Sequence, residues 1–405
     1  MATLKTTFGG DRGELFLLAL KTGFLTLITA GMYRFWATTR LRRWYWSAVR
    51  PGGAPLEYTG TGIEKLTGFL FAIILLAVVL TLANIAGIMG AIGLSGDLPH
   101  AYYGALAVLP MVMVPMWFFA RYRARRYILS RTRWRAIRFG MSRGALGYAW
   151  RATLYTALTW ATFGLLWPLM TFRLEKYLTD RTWYGTARFT QHGSAGRLYG
   201  PLLPFLFSLW GSFALIGYFS YANAGNAGAI FGRVYEAWAL IAGLVAFIFS
   251  ILFAVYYRVA SVRVLAALKT MGDGVELDLY PRTRRVVRIY FFGWWKTYLA
   301  AGFASNVVFG AVLGVVWLTG NFRPEMVQDP PIGLAATIAV LTYLLVMLMV
   351  STFRQTFITY PLVQHISETL ELREAELLGT VRQRDADRRS DAGGFADALN
   401  AGAAF

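Results

Sequence analysis

The chain contains no cysteine, which excludes disulfides, thiol catalysis and thiolate-bound metal. It is poor in charge as well. Only 15% of its 405 residues are charged, where a soluble domain carries roughly 25%. Carboxylates are the scarcest, 21 against 40 Lys and Arg, and none sits at the centre of a long apolar run. That absence weighs against a carboxylate proton relay or paired-acid chemistry within a bilayer. His100, His192 and His365 stand far apart, with no metal-ligand spacing around them, and no Gly-Lys-Ser/Thr phosphate loop is present. No cofactor is implied. The N-terminus lacks a basic start leading into an apolar core, so no removable signal peptide is expected there.

What is abundant is apolar and aromatic. Hydrophobic residues make up 57%, with 14 Trp and 22 Tyr, rings that favour membrane interfaces. The net charge of +19 suggests nucleic acid, but the basic residues fall in short runs between long apolar segments. That is the pattern of cytoplasmic loops in a membrane protein, and no nucleic-acid partner is expected.

One motif is written twice. Phe8, Gly9, Arg12, Gly13 and Leu15 recur 131 positions later as Phe139, Gly140, Arg143, Gly144 and Leu146. Tyr58-Thr59-x-x-Gly62 recurs as Phe189-Thr190-x-x-Gly193, and Arg40-Leu41-x-Arg43 as Arg173-Leu174-x-Lys176. Three matches in one order indicate an internal duplication. The expected fold is an all-α membrane protein with about six transmembrane helices in three hairpins. Its membrane domain covers 1–366: repeat 1 about 1–138, repeat 2 about 139–280, and a third hairpin 281–366. A polar, partly disordered tail follows at 367–405.

The six spans lie within 66–96, 102–120, 198–222, 237–257, 297–319 and 332–353, charge-free stretches apart from occasional edge residues. Of the 40 basic residues, only Arg233 and Arg323 fall in hairpin tips, so the basic runs and both termini are expected in the cytoplasm. Two further apolar segments, 14–36 and 145–172, carry Lys21 and Arg151. If either crossed once, two strongly basic runs would face opposite sides, so both are expected to lie in the interface or re-enter. Short strands are expected at 3–8, 55–59, 134–140, 186–191 and 275–280, with 3–8 pairing near 55–59. Asp11 with Glu14, and Thr61 with Glu64, have capping-box spacing.

The run Thr29, Gly31, Tyr33 and Trp36 followed by Arg40 and Arg43, with Tyr58–Thr61 and the terminal 394–398, resembles the YjgN family of bacterial inner-membrane proteins. That family is of unknown function. The resemblance implies a multi-pass inner-membrane protein and carries over no site residues.

The candidate site residues are cations. Arg40 with Arg43, Arg123 with Arg126, and Arg173 with Lys176 each stand three apart, on one face of a helix, where they are placed to grip anionic phospholipid headgroups or simply to set topology. Lys21 and Arg151 either meet an anionic solute or snorkel to headgroups. Asn84 and Asn306 either line a path or bond to a neighbouring helix. Three functions stay open: a transporter or channel for an anionic or lipid-like solute, a non-catalytic lipid-binding scaffold, and a membrane enzyme, the last without a catalytic constellation to support it.

Overall fold

The computed structural model describes residues 3–95, 98–225, 230–318 and 332–384. Among them, one unit recurs five times: a strand, two helical stretches, and a strand. β1 (Leu4–Phe8) leads through α1 (Arg12–Ile28) and α2 (Arg34–Ala48) to β2 (Val49–Pro51). β3 (Leu56–Tyr58) leads through α3 (Gly62–Ser95) and α4 (Leu98–Ser130) to β4 (Thr132–Trp134). β5 (Ile137–Met141) leads through α5 (Ala145–Ala161) and α6 (Trp167–Thr179) to β6 (Thr182–Tyr184). β7 (Ala187–Gln191) leads through α7 (Tyr199–Gly225) and α8 (Ile230–Ala266) to β8 (Lys269–Met271). β9 (Val275–Leu279) leads through α9 (Thr283–Leu318), α10 (Ile332–Arg354) and α11 (Tyr360–Glu368) to β10 (Leu370–Arg373).

The strands form one antiparallel sheet in the order β2-β1-β10-β9-β8-β7-β6-β5-β4-β3. This is chain order taken around a circle and cut once, between β2 and β3. Residues 52–55 tie those two edges together, so the sheet curls into a collar with one seam. The two strands of each unit pair with each other, so every helical pair leaves and re-enters the same end of the collar. The turns between units lie at the opposite end. One is the two-residue turn Arg135-Ala136, with φ of 49° and 64°, the left-handed pair that a tight hairpin demands.

Inside the collar, alternate strand residues converge. Trp134, Tyr184, Met271, Val275 and Leu372 are all buried there, with Tyr184 donating from its hydroxyl to the Trp134 carbonyl at 2.9 Å. The chain after β10 fills the turn end. Leu378 is buried in the same core, with Leu377 and Val381 packed against it. Thr186 N donates to the Arg382 carbonyl at 2.8 Å, and Arg138 N to Gln383 Oε1 at 2.7 Å.

The all-α expectation with small β elements is therefore corrected: the strands form a single ten-stranded collar. β1 pairs with β2 and β10, not near 55–59, because each helical pair returns the chain to a strand beside the one it left. The expectation of six spans is also corrected. Among the described residues, four helical stretches are long and apolar enough to cross a membrane: Gly62–Gly90, Ala195–Tyr221, Ala237–Ala266 and Ala339–Glu368. The stretch 102–120 belongs to α4, which contains Pro110 and Pro115 and continues into Arg121, Arg123, Arg125 and Arg126. The stretch expected at 297–319 falls, as far as Leu318, in α9, which opens with Arg284, Arg285, Arg288 and Lys296. Arg323 lies outside the described residues, as does the tail beyond 384. In the most apolar 18 residues of the Gly62–Gly90 stretch only 6% are buried, and Phe71 and Ile74 are 68% and 64% exposed. Apolar surface that bare belongs in lipid rather than water, and the chain is a membrane protein on that composition.

The segments 14–36 and 145–172 turn back on themselves. α1 ends at Ala30-Gly31 (φ 49° and 89°) and α5 at Phe163-Gly164 (φ 48° and 90°), the same left-handed turn 133 positions apart. Gly31 N donates to Thr26 O at 2.7 Å, and Gly164 N to Thr159 O at 2.8 Å. Left-handed glycine after a helix closes its last carbonyls and reverses the chain. Each short hairpin lies beside a candidate span: Phe16 of α1 is 5.6 Å from Phe353 of α10, and Trp210 of α7 donates to Phe163 O at 3.0 Å.

Candidate functional site at the base of the helical pairs

The expected cations are spread along the helices that leave the collar, from Lys21 midway along α1 to Arg43, Arg126 and Lys176 beside the strand ends, and they do not share one task. Arg43 donates to Gly60 O at 2.8 Å, and Lys176 to Gln191 O at 2.6 Å while pairing with Asp180 at 3.0 Å. Each bonds a backbone carbonyl at the end of the strand that opens the next helical pair. Arg40 is exposed and lies over the Tyr33 ring at 5.6 Å. Arg173 and Lys21 are exposed and form no hydrogen bond or ion pair among the described residues. Arg123 lies over Phe119 at 5.8 Å, and Arg126 Nε donates to Met141 O at 3.1 Å. Arg151 donates to Gly147 O at 3.0 Å and lies 5.2 Å from the Tyr177 ring. Asn306 is spent on its own helix, donating to Gly302 O at 2.8 Å.

Two ionic centres were not among the candidates read from the sequence. At the first, Glu175 Oε1 lies 2.6 Å from Lys269 Nζ and 3.6 Å from Arg125. Burial alone raises a carboxyl's pKa, but Lys269 and Arg125 outweigh it and hold Glu175 down at about 2. The second lines the seam. Glu64 accepts from Arg131 at 2.9 Å and from the Tyr127 hydroxyl at 2.9 Å, so its carboxylate ties α3 to α4. Lys65, fully buried, and Arg42, 8% exposed, lie 5.4 and 5.3 Å from the same Tyr58 ring. The ring offers both cations its electron-rich faces in place of water. The interleaving of Arg42 with Trp44, Tyr45 and Trp46 is the one sequence signal of this centre.

A third cluster surrounds the loop between β5 and α5. Arg181 stacks on Tyr177 at 3.6 Å, and the Tyr122 and Tyr177 hydroxyls donate to the Ser142 and Gly144 carbonyls at 2.8 and 2.9 Å. Burial, then the neighbouring Tyr177, pushes the Tyr122 phenol up to about 12, so it stays a neutral donor. The spacing Gly140-x-Ser142-x-Gly144 is that of a nucleophile elbow. The geometry is not: Ser142 has no left-handed backbone and its hydroxyl makes no hydrogen bond to a base among the described residues. Nor do the described residues hold any group of three His, Asp or Glu that could bind a metal. His192 meets Thr190 and Thr270, and His365 accepts from Arg282 N at 3.0 Å.

Residues 3–305 match a family described as a bacterial protein of unknown function, DUF898, which contains YjgN. No curated protein and no solved structure matches the chain. With three quarters of its length covered by that match, the chain belongs to the DUF898 family of bacterial proteins of unknown function.

Proposed function

We propose that this protein is a non-catalytic protein of the bacterial inner membrane that holds anionic phospholipid headgroups against its strand collar, with both chain ends in the cytoplasm. The observation that carries the reading is the set of guanidinium groups on the helix-bearing side of the collar that form no ion pair among the described residues, including Arg40, Arg126, Arg143 and Arg173. They lie on helices that leave the sheet towards the apolar stretches, which supports a position near lipid phosphates, where each would be worth about 1 kcal/mol of attraction to an anionic surface. The collar's interior is filled by Trp134, Tyr184, Met271 and Leu378, which favours a docking platform over a pore. Transport of an anionic or lipid-like solute is the second reading, favoured by the turned-back hairpins that carry Lys21 and Arg151.

Purified full chain, analysed by native mass spectrometry with lipid identification, tests the first reading. It predicts retained phosphatidylglycerol or cardiolipin in excess over phosphatidylethanolamine. Lipid retained in bulk-membrane proportions refutes it. Proteoliposome uptake of an anionic solute, absent from empty vesicles, would favour the second reading instead.

A further inference from the structure

The loop Met141–Gly144 is ringed by cations. Arg126 bonds its first carbonyl, and Arg143 and Arg123 lie near enough to act on Arg126 electrostatically. Arg181 Nε and the Tyr122 and Tyr177 hydroxyls crowd Gly144 so closely that a methyl group there would meet them at 2.9 to 3.2 Å. Arg151 approaches from the next turn of α5, 5.2 Å from the Tyr177 ring. Among the described residues none of Arg126, Arg143, Arg151 and Arg181 forms an ion pair with a carboxylate.

The duplicated unit shows what is missing. In the first copy the turn into α1 is closed by Asp11, whose carboxylate accepts from Glu14 N at 2.9 Å, with Glu14 in the first turn. The positions 131 later are Ser142 and Ala145. The turn and helix start are kept, both carboxylates are gone, and the cations have gathered. Beside the ring, α5 exposes Leu146, Trp150 and Leu154 at 78%, 68% and 44%, four residues apart on one face. The side chains that line the anion position are thus continuous with an apolar strip.

We propose that this ring binds the phosphate of an anionic phospholipid, with an acyl chain along Leu146, Trp150 and Leu154. Guanidinium groups meet phosphate oxygens through paired, charge-assisted hydrogen bonds, which suits Arg143 and Arg181: neither pairs with a carboxylate among the described residues, and Arg181 makes only a long bond to the Tyr177 carbonyl at 3.4 Å. The inference rests on the proposed headgroup-binding role and gives it an address.

The test uses full-length protein in detergent, titrated separately with short-chain phosphatidylglycerol, short-chain phosphatidylcholine and inorganic phosphate, followed by calorimetry. The unsubstituted chain is expected to bind phosphatidylglycerol saturably, and Arg143→Gln to weaken that binding roughly fivefold. Ser142→Asp, which restores the first copy's own carboxylate to the turn, is expected to abolish it while leaving thermal stability unchanged or higher. Lys5→Gln, the same loss of charge on β1, is expected to change nothing. Phosphatidylglycerol binding unchanged in Ser142→Asp overturns the site. If the unsubstituted chain still retains anionic lipid in that case, the wider headgroup-binding role stands; if it retains none, that role fails first. Saturable inorganic phosphate binding that phosphatidylglycerol does not displace overturns the lipid assignment and leaves a soluble phosphate in its place.

Discussion

Lys176 Nζ donates to the Gln191 carbonyl at 2.6 Å, across the step from one helical pair to the next. Arg43 makes the corresponding bond to Gly60 in the first copy, at 2.8 Å. The donors are 133 positions apart and the acceptors 131, so duplication has kept a bond as well as a spacing. These two cations hold the helix base to the strand end and have less freedom to meet lipid than their partners Arg40 and Arg173. Lys176→Met and Arg43→Met are each expected to lower stability by about 1 kcal/mol, part of a charged hydrogen bond's worth at a half-exposed site. Thermal unfolding in detergent measures it, and lipid retention is expected to stay near that of the unsubstituted chain.

The turns at Gly31 and Gly164 should tolerate a side chain poorly. Both sit at φ near 90°, beyond even the left-handed well that other residues occupy at a cost. Gly31→Val and Gly164→Val are each expected to cost about 2 kcal/mol. Equal loss at the two positions would support one shared turn; no loss at either would mean the segments run straight on.

Glu175 predicts a pH dependence. Its folded-state pKa of about 2 lies below the ordinary 4.5, so the folded protein keeps this carboxylate charged where the unfolded chain takes up a proton. The stabilisation is complete above about 4.5 and is lost as pH falls towards 2. Glu175→Gln should flatten that part of the stability profile. It should also cost roughly 2 kcal/mol near neutral pH, because Lys269 is left partly buried without its partner. Denaturation midpoints across that range, in both chains, decide it.

The C-terminal segment should act as part of the collar's core. Leu378→Ala is expected to lose about 2 kcal/mol, the lower end for a buried leucine, since neighbours Leu377 and Val381 can close partly over the gap. An unchanged midpoint would mean that the segment merely rests against the turn end.

Much of the duplication was legible because it fixes identities at set spacings, as at Arg12 with Arg143 and Tyr58 with Phe189. The two hairpins that turn back were legible from charge, since basic runs flank both of their ends. The collar was not. β2, β4, β6 and β8 are three residues long, too short for period-two alternation to declare itself, and β10 lies in a charged stretch more than 360 positions from its partner β1. The site was half legible. Arg126 and Arg151 stood out as cations flanking apolar segments, but Arg143 and Arg181 join them only through the pairing of β5 with β6. The seam cations Arg42 and Lys65 meet on Tyr58 only because α2 and α3 flank the same turn.

Every placement above depends on the collar being closed by the two ends of the chain. Lys5 of β1 faces Glu371 of β10, and Thr7 faces Arg50 of β2. The chain has no cysteine of its own, so within one chain a pair of introduced thiols can bond only with each other. In native membranes under mild oxidant, Lys5→Cys with Glu371→Cys is predicted to form an intramolecular disulfide as readily as Thr7→Cys with Arg50→Cys, since facing strand residues lie within disulfide reach. A disulfide from the second pair and none from the first would contradict the closed collar.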